Sequence, residues 1–167
     1  MTQWSPSALS MHAEALVKDC LAKHWHAREV FAPPDEELAQ YDACFILPYG
    51  TKRTVEVKTD FKAEKTGRCF FELRNTYRQS QSGLMATKAD IWAHYVPSLG
   101  KAWLVCPHAL RWYFSRHVGE KLVCGIPYGI TLSHPASGDR NSQGILVSIE
   151  VMKAWTWADV RDVPWLD

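Results

Sequence analysis

Thr51-Lys52-Arg53-Thr54-Val55-Glu56-Val57-Lys58-Thr59-Asp60 is the stretch on which the fold turns. In an extended chain Val55 and Val57 fall on one side, while Thr54, Glu56, Lys58 and Asp60 fall on the other. That period of two, following the turn signal Pro48-Tyr49-Gly50, predicts a strand over 51–59 with one buried face. Glu56 and Lys58 then share the polar face. An acid-x-lysine tripeptide arises often by chance on half-exposed strands, so its meaning depends on what surrounds it.

Working outward, Tyr41–Leu47 reads as a strand with an acid, Asp42, in its first half, and the aromatic-rich Arg68–Arg74 reads as another. The connections are too short for parallel crossovers, so the three strands are expected to form an antiparallel meander. Ahead of them, Leu9, Ala13, Leu16, Val17 and Cys20 recur at three- and four-residue steps. They predict a helix over 8–24, capped by Ser5 or Ser7 with Pro6 in its first turn. Trp25–Phe31 reads as a short extended piece, and Pro33–Glu37 as a loop or helical turn.

Beyond the meander, Leu84, Lys88, Ile91, Trp92 and Tyr95 map onto one side of a helix over 82–97 that Pro97 would stop. Ala102–Cys106 is an apolar strand of the buried kind, and Pro107 opens a helix to about His117. A Gly- and Ser-rich loop over 132–144 precedes a strand over 145–151 and a helical turn over 153–160. The order predicts an α/β fold, a mixed central sheet flanked by helices, in a single domain over 1–167. Its core spans about 8–118, with C-terminal additions over about 119–167.

Composition narrows the class. At 47% hydrophobic and 22% charged, the 167 residues lack the bias of a disordered chain. No apolar run approaches membrane-spanning length and no signal-peptide pattern opens the chain, so no membrane partner and a cytoplasmic residence are expected. Five scattered cysteines without a Cys-x-x-Cys pair read as buried thiols in a reducing compartment. Net charge is only +1, but it is unevenly spread. Residues 1–51 carry three Lys/Arg against seven Asp/Glu, whereas residues 52–90 carry nine against five. The positive excess surrounds the acid-x-lysine strand, as a polyanionic substrate would require.

Asp42 and Glu56 on neighbouring strands make a pair of hard oxygen ligands suited to Mg²⁺ or Mn²⁺. A lysine beside them completes a division of labour for phosphodiester hydrolysis: the cation activates a water and the ammonium stabilises charge. Candidate phosphate contacts are Lys52, Arg53, Lys62, Arg74, Arg78 and Lys88, which flank these strands. Asp60 and Glu72 are further acids that alternation allows near the site. Of the eight tryptophans, Trp92, Trp103 and Trp112 fall on periodic apolar faces and are expected in the core.

The succession of a helix bearing Glu14, a strand bearing Asp42, and a strand bearing Glu56-Val57-Lys58 resembles the PD-(D/E)xK nuclease superfamily. The further strand, helix and buried strand extend the likeness over residues 8–118. Tyr41 stands where the name-giving motif has proline, and no Gln-x-x-x-Tyr follows in the next helix. The resemblance implies the restriction endonuclease-like αβββαβ core and a metal-dependent deoxyribonuclease of resolvase or phage type. It also implies a Mg²⁺ or Mn²⁺ centre held by Asp42, Glu56 and the Val57 carbonyl, with Lys58 positioning water and Glu14 as a fourth catalytic member. DNA is the implied partner. In the resolvase branch a homodimer is expected, with Trp155, Trp157 and Trp165 as its candidate surface. The alternative is an inactive domain of the same fold that binds nucleic acid or protein.

Overall fold

The computed structural model describes residues 5–34, 40–120, 122–123, 125–127, 129–133 and 142–165. Helix α1, Pro6–His24, starts where Ser5 Oγ accepts the Ala8 N–H at 3.2 Å, with proline in the first turn. Ala13, Val17 and Leu21, four residues apart, form its buried stripe. Strands β1 (Glu29–Phe31), β2 (Ala43–Ile46) and β3 (Lys52–Thr59) follow, paired antiparallel in that order.

The chain then leaves the sheet. The Asp60 carboxylate accepts the Lys62 and Ala63 N–H groups at 3.0 and 2.9 Å, starting the single turn α2, Ala63–Thr66. Strand β4, Arg68–Asn75, emerges in a second sheet, paired with the two-residue β5, Ser80–Gln81. The expected three-strand meander is therefore corrected: β3 neighbours β2 on one side, but its other neighbour is the later strand β6.

The helix expected over 82–97 is also corrected. Gly83–Met85 is one 3₁₀ turn, and β6, Ile91–Val96, is a strand parallel to β3, with Glu56 opposite Trp92 and Lys58 opposite His94. Helical spacing of Ile91, Trp92 and Tyr95 coexists with burial of every residue from Trp92 to Val96, the mark of a strand covered on both faces. Arg111 takes up the Leu84 and Thr87 carbonyls at 2.8 Å each, which a helix would have bonded internally. The Asp90 carboxylate accepts both the N–H and the hydroxyl of Thr54, pinning the β3–β6 register.

Strand β7, Lys101–Val105, pairs antiparallel with β6 and leads into α3, Pro107–His117. A two-strand ribbon, β8 (Leu122–Val123) and β9 (Ile126–Pro127), precedes β10, Ile130–Ser133. Strand β11, Ser142–Ser148, pairs with β10 and β4. It ends where Ser148 Oγ caps the short helix α4, Ile149–Lys153. The helical turn expected over 153–160 gives way to an edge strand, β12, Asp159–Asp162, beside β7. The result is a mixed six-stranded sheet, β1-β2-β3-β6-β7-β12, and a four-stranded one, β10-β11-β4-β5. Residues after His117 thus supply strands to both sheets.

Helix α1 covers one face of the large sheet, packing Ala13, Val17 and Leu21 against Val55, Val57, Ala93 and Tyr95. The second sheet and α3 cover the other face, where Phe71 stacks on His94 at 4.4 Å between ring centroids and meets Phe114 at 5.1 Å. The expected α/β architecture, a mixed sheet flanked by helices, therefore holds, while the αβββαβ succession fails at its second helix. Trp92 and Trp103 are core residues as expected. Trp112 is not: it is 55% exposed and lies under the Arg116 guanidinium. Trp155, expected at the surface, is buried. No helix among the described residues is long and apolar enough to cross a membrane.

A Cβ on Gly144, at the bulge of β11, would lie 2.3 Å from the Phe71 carbonyl oxygen. Gly144→Ala should lower the melting midpoint by roughly 5 °C, since overpacking costs about 1–3 kcal/mol. An unchanged midpoint in a thermal melt would show that β4 and β11 separate without cost. His94 is only 1% exposed, and burial pushes its pKa down to about 4, with Lys58 adding to the fall and Asp60 opposing it. A base depressed in this way contributes stability above its ordinary range, near pH 6.5, and loses it as pH falls. The melting midpoint should drop between about pH 6.5 and 4, and His94→Gln should flatten that slope.

Candidate active site

The site begins just ahead of the first residue of β2. The Asp42 N–H donates to the Val55 carbonyl at 2.8 Å, although the ladder pairs Val55 with Ala43. The next N–H of β3 on that side, from Val57, donates to Asp42 Oδ2 at 2.7 Å. A side-chain carboxylate thereby replaces the backbone acceptor, and the charge-assisted bond fixes it against β3. N–H and C=O of one strand residue point to the same side, so the Val57 carbonyl faces this edge too.

Glu56 and Lys58 rise from the face of β3 that turns away from α1. Glu56 is 8% exposed, and its Oε1 holds Lys58 Nζ at 2.6 Å. Burial raises the Glu56 pKa; Asp42 and Glu14 raise it further, against the pull of Lys58. Burial likewise raises Asp42, with Glu14 adding to it and the Val57 N–H, Lys58 and Lys18 opposing. For Lys58, burial pulls the pKa down, but Glu56, Asp42 and Glu72 outweigh it and the pKa ends above the usual lysine value. The ammonium is therefore retained at neutral pH.

Glu14, from α1, belongs to this neighbourhood through its charge on both Asp42 and Glu56, and it is ion-paired with Lys18 one helical turn on. Glu72, whose facing alternation left open, acts on Lys58 from β4 and accepts the Ser82 hydroxyl at 2.6 Å. Gly83 permits this approach: a Cβ there would lie 2.6 Å from the Glu72 carbonyl oxygen, and its φ is +49°. Asp60 stands apart, its oxygens taken by the N–H groups of Lys62, Ala63 and Phe70. Ser82 and Gly83 were expected as the first residues of a helix and not as partners of Glu72. Lys18 was not expected here, although its spacing of four from Glu14 offered a signal.

The expected cationic rim is redistributed. Lys52 and Arg53 sit at the opposite end of β3, about 17–20 Å from Lys58 at strand rise, and the Arg53 guanidinium lies over Trp25. Arg74 donates to Gln79 and the Arg78 N–H bonds Asn75, both at the far end of β4. The separation follows from β4 joining the second sheet. Lys62 lines a cavity with Lys58, and the Lys88 N–H bonds the carbonyl of Gln40, two residues before Asp42.

In the chemistry of its donors this set suits a hard divalent cation, since Asp42, Glu56, Glu14 and the Val57 carbonyl offer oxygen alone. Among the described residues, the group whose ligand atoms converge within 4.8 Å of one another is a different one, Asp60, Cys69 and His94. Its donors are largely committed. Asp60 is already bonded by three N–H groups, burial pushes the Cys69 thiol strongly up, and His94 Nδ1 accepts the Trp92 Nε1–H at 3.4 Å. That last bond leaves the ring hydrogen on Nε2, where a metal would need a lone pair.

No protein-family profile and no curated protein matches the chain. Among solved structures, that of a bacterial homing endonuclease, I-Ssp6803I, is similar at a TM-score of 0.46 and 23% identity, over 64% of this chain and 69% of that one. Likeness of that degree establishes neither a shared fold nor a shared activity.

The acidic cluster predicts a specific response to metal. Mn²⁺ or Mg²⁺ at about a hundred times its Kd should stabilise the protein by about 2.7 kcal/mol, raising the melting midpoint by roughly 5 °C or more. Glu56→Ala and Asp42→Ala should each remove that rise. A rise that survives both substitutions would place the cation elsewhere.

Proposed function

We propose that this chain is a Mg²⁺- or Mn²⁺-dependent DNA nuclease of the PD-(D/E)xK type, with Asp42, Glu56 and Lys58 as its catalytic centre. The observation that carries the proposal is the bond from the Val57 N–H to Asp42, which sets two raised carboxylates and a retained ammonium around one strand. Asp42, Glu56 and the Val57 carbonyl would hold the cation, with Glu14 as a further acid. When bound, it supplies Lewis-acid activation of the phosphodiester and of a water.

The chain's own groups have distinct work in this scheme. Lys58 keeps its proton, so it acts through charge: it orients the attacking water and opposes the negative charge that grows on the phosphoryl oxygens. Glu56 holds that ammonium in place at 2.6 Å. Glu72, itself held by Ser82, approaches Lys58 from the second sheet. Water attack breaks one P–O bond, and the leaving oxygen takes up a proton. Lys62 and Arg68, which line the cavity beside Lys58, are the cations placed to follow a DNA strand. The choice of DNA, and of a resolvase or phage role, rests on the resemblance of the ordered acids and lysine to that superfamily.

Incubation with supercoiled, linear, single-stranded and branched DNA in the presence of Mn²⁺ tests the proposal. Cleavage of at least one form is expected, lowered about 100-fold or more by Lys58→Ala and by Asp42→Ala. Folded protein that cuts none of them would reject the enzyme in favour of a binding module.

A further inference from the structure

A cavity of about 600 Å³ opens beside Lys58, between the end of β3 and the second sheet. Its volume falls in the range of small-ligand sites, about 300–1,000 Å³. The cavity adjoins the acidic cluster through Lys58 and Glu72, which line both. Two kinds of group meet there. Phe61 and Phe70 offer aromatic surface over a floor containing Trp92, and Phe61 is braced edge-on by Trp165 at 5.9 Å. Lys62 and Arg68 add positive charge at the wall.

His94 lies beneath the cavity: its Nδ1 accepts the Trp92 indole N–H, and its buried Nε2 is 4.0 Å from Asp60 Oδ2. Aromatic faces for stacking and cations for a phosphate together describe one ligand chemistry. We infer that this cavity receives a single unpaired nucleotide of a DNA strand, its base stacked at Phe70 and its phosphate met by Arg68 and Lys62.

The inference rests on the nuclease reading for its choice of DNA, and it deepens that reading: the preferred substrate carries an unpaired or extruded nucleotide next to the phosphodiester at Lys58. A stacked duplex base could not enter without leaving its partner. The smaller cavity of about 300 Å³ at the opposite end of the sheet, lined by Trp25 and Arg53, contains none of the acidic cluster.

Calorimetric titration of the full chain without divalent cation tests the pocket, using the four 2′-deoxynucleoside 5′-monophosphates, with deoxyribose 5-phosphate and inorganic phosphate as reference probes. At least one mononucleotide should bind about tenfold or more tightly than deoxyribose 5-phosphate. Phe70→Ala and Arg68→Ala should each weaken it about fivefold or more. The pocket is rejected if deoxyribose 5-phosphate binds as tightly as every mononucleotide, or if folded protein binds none of them. Cleavage without nucleotide binding would overturn the pocket alone. Nucleotide binding without cleavage of any DNA would uphold the pocket and overturn the nuclease reading.

Discussion

The hydrogen bond from the Val57 N–H to the Asp42 carboxylate is the contact on which the site depends. It is made possible because β2 begins only at Ala43, so a donor of β3 meets the Asp42 side chain instead of a carbonyl. A buried backbone N–H needs an acceptor, and an anionic one binds it strongly. The same bond holds the charge of Asp42 near that of Glu56, where water cannot screen it well. Burial, with the charge of neighbouring acids added to it, outweighs the pull of Lys58, and both carboxylates remain raised. A cluster in that condition has more to gain from a divalent cation than a solvated pair of acids would.

Burial of β6 supplies the rigid base for this arrangement. The strand lies between β3 and β7, with α1 on one face and the second sheet on the other. Its parallel pairing with β3, pinned by Asp90 to Thr54, fixes Lys58 opposite His94 and Glu56 opposite Trp92. Those two ladder positions connect the acidic cluster to the cavity floor. The second sheet is closed by β11, which lies far along the chain from β4. Cluster and cavity are therefore joined by contacts distant in sequence, a requirement that local propensity cannot express.

The legible part of this protein and the illegible part divide along a physical line. Period-two alternation identified β3 because one of its faces is buried and the other carries polar groups. A capping serine, a proline and a four-residue apolar step identified α1 for similar reasons. Ile91–Val96 carried no such contrast. Covered on both faces, it reads as a continuous apolar run, which fits a buried helix equally well. Its β-branched and aromatic residues were the sole local hint of a strand. Glu72 was ambiguous because its neighbours on β4 are apolar on either side, and Ser82 and Gly83 gave no local sign that they would hold it.

What the sequence by itself determined was the set of acids and the lysine, their placement on successive elements, and the mixed α/β class, because each follows from a short-range period. Only the tertiary structure decided which strand lies beside β3, that β4 belongs to another sheet, and that Lys52 and Arg53 lie at the end of β3 remote from Lys58. It also decided that Glu14 on α1 and Glu72 on β4 come within reach of the charges of the cluster, and that a cavity adjoins it. Strand order and facing depend on which distant surfaces can be buried together, and that choice is made by the whole chain at once.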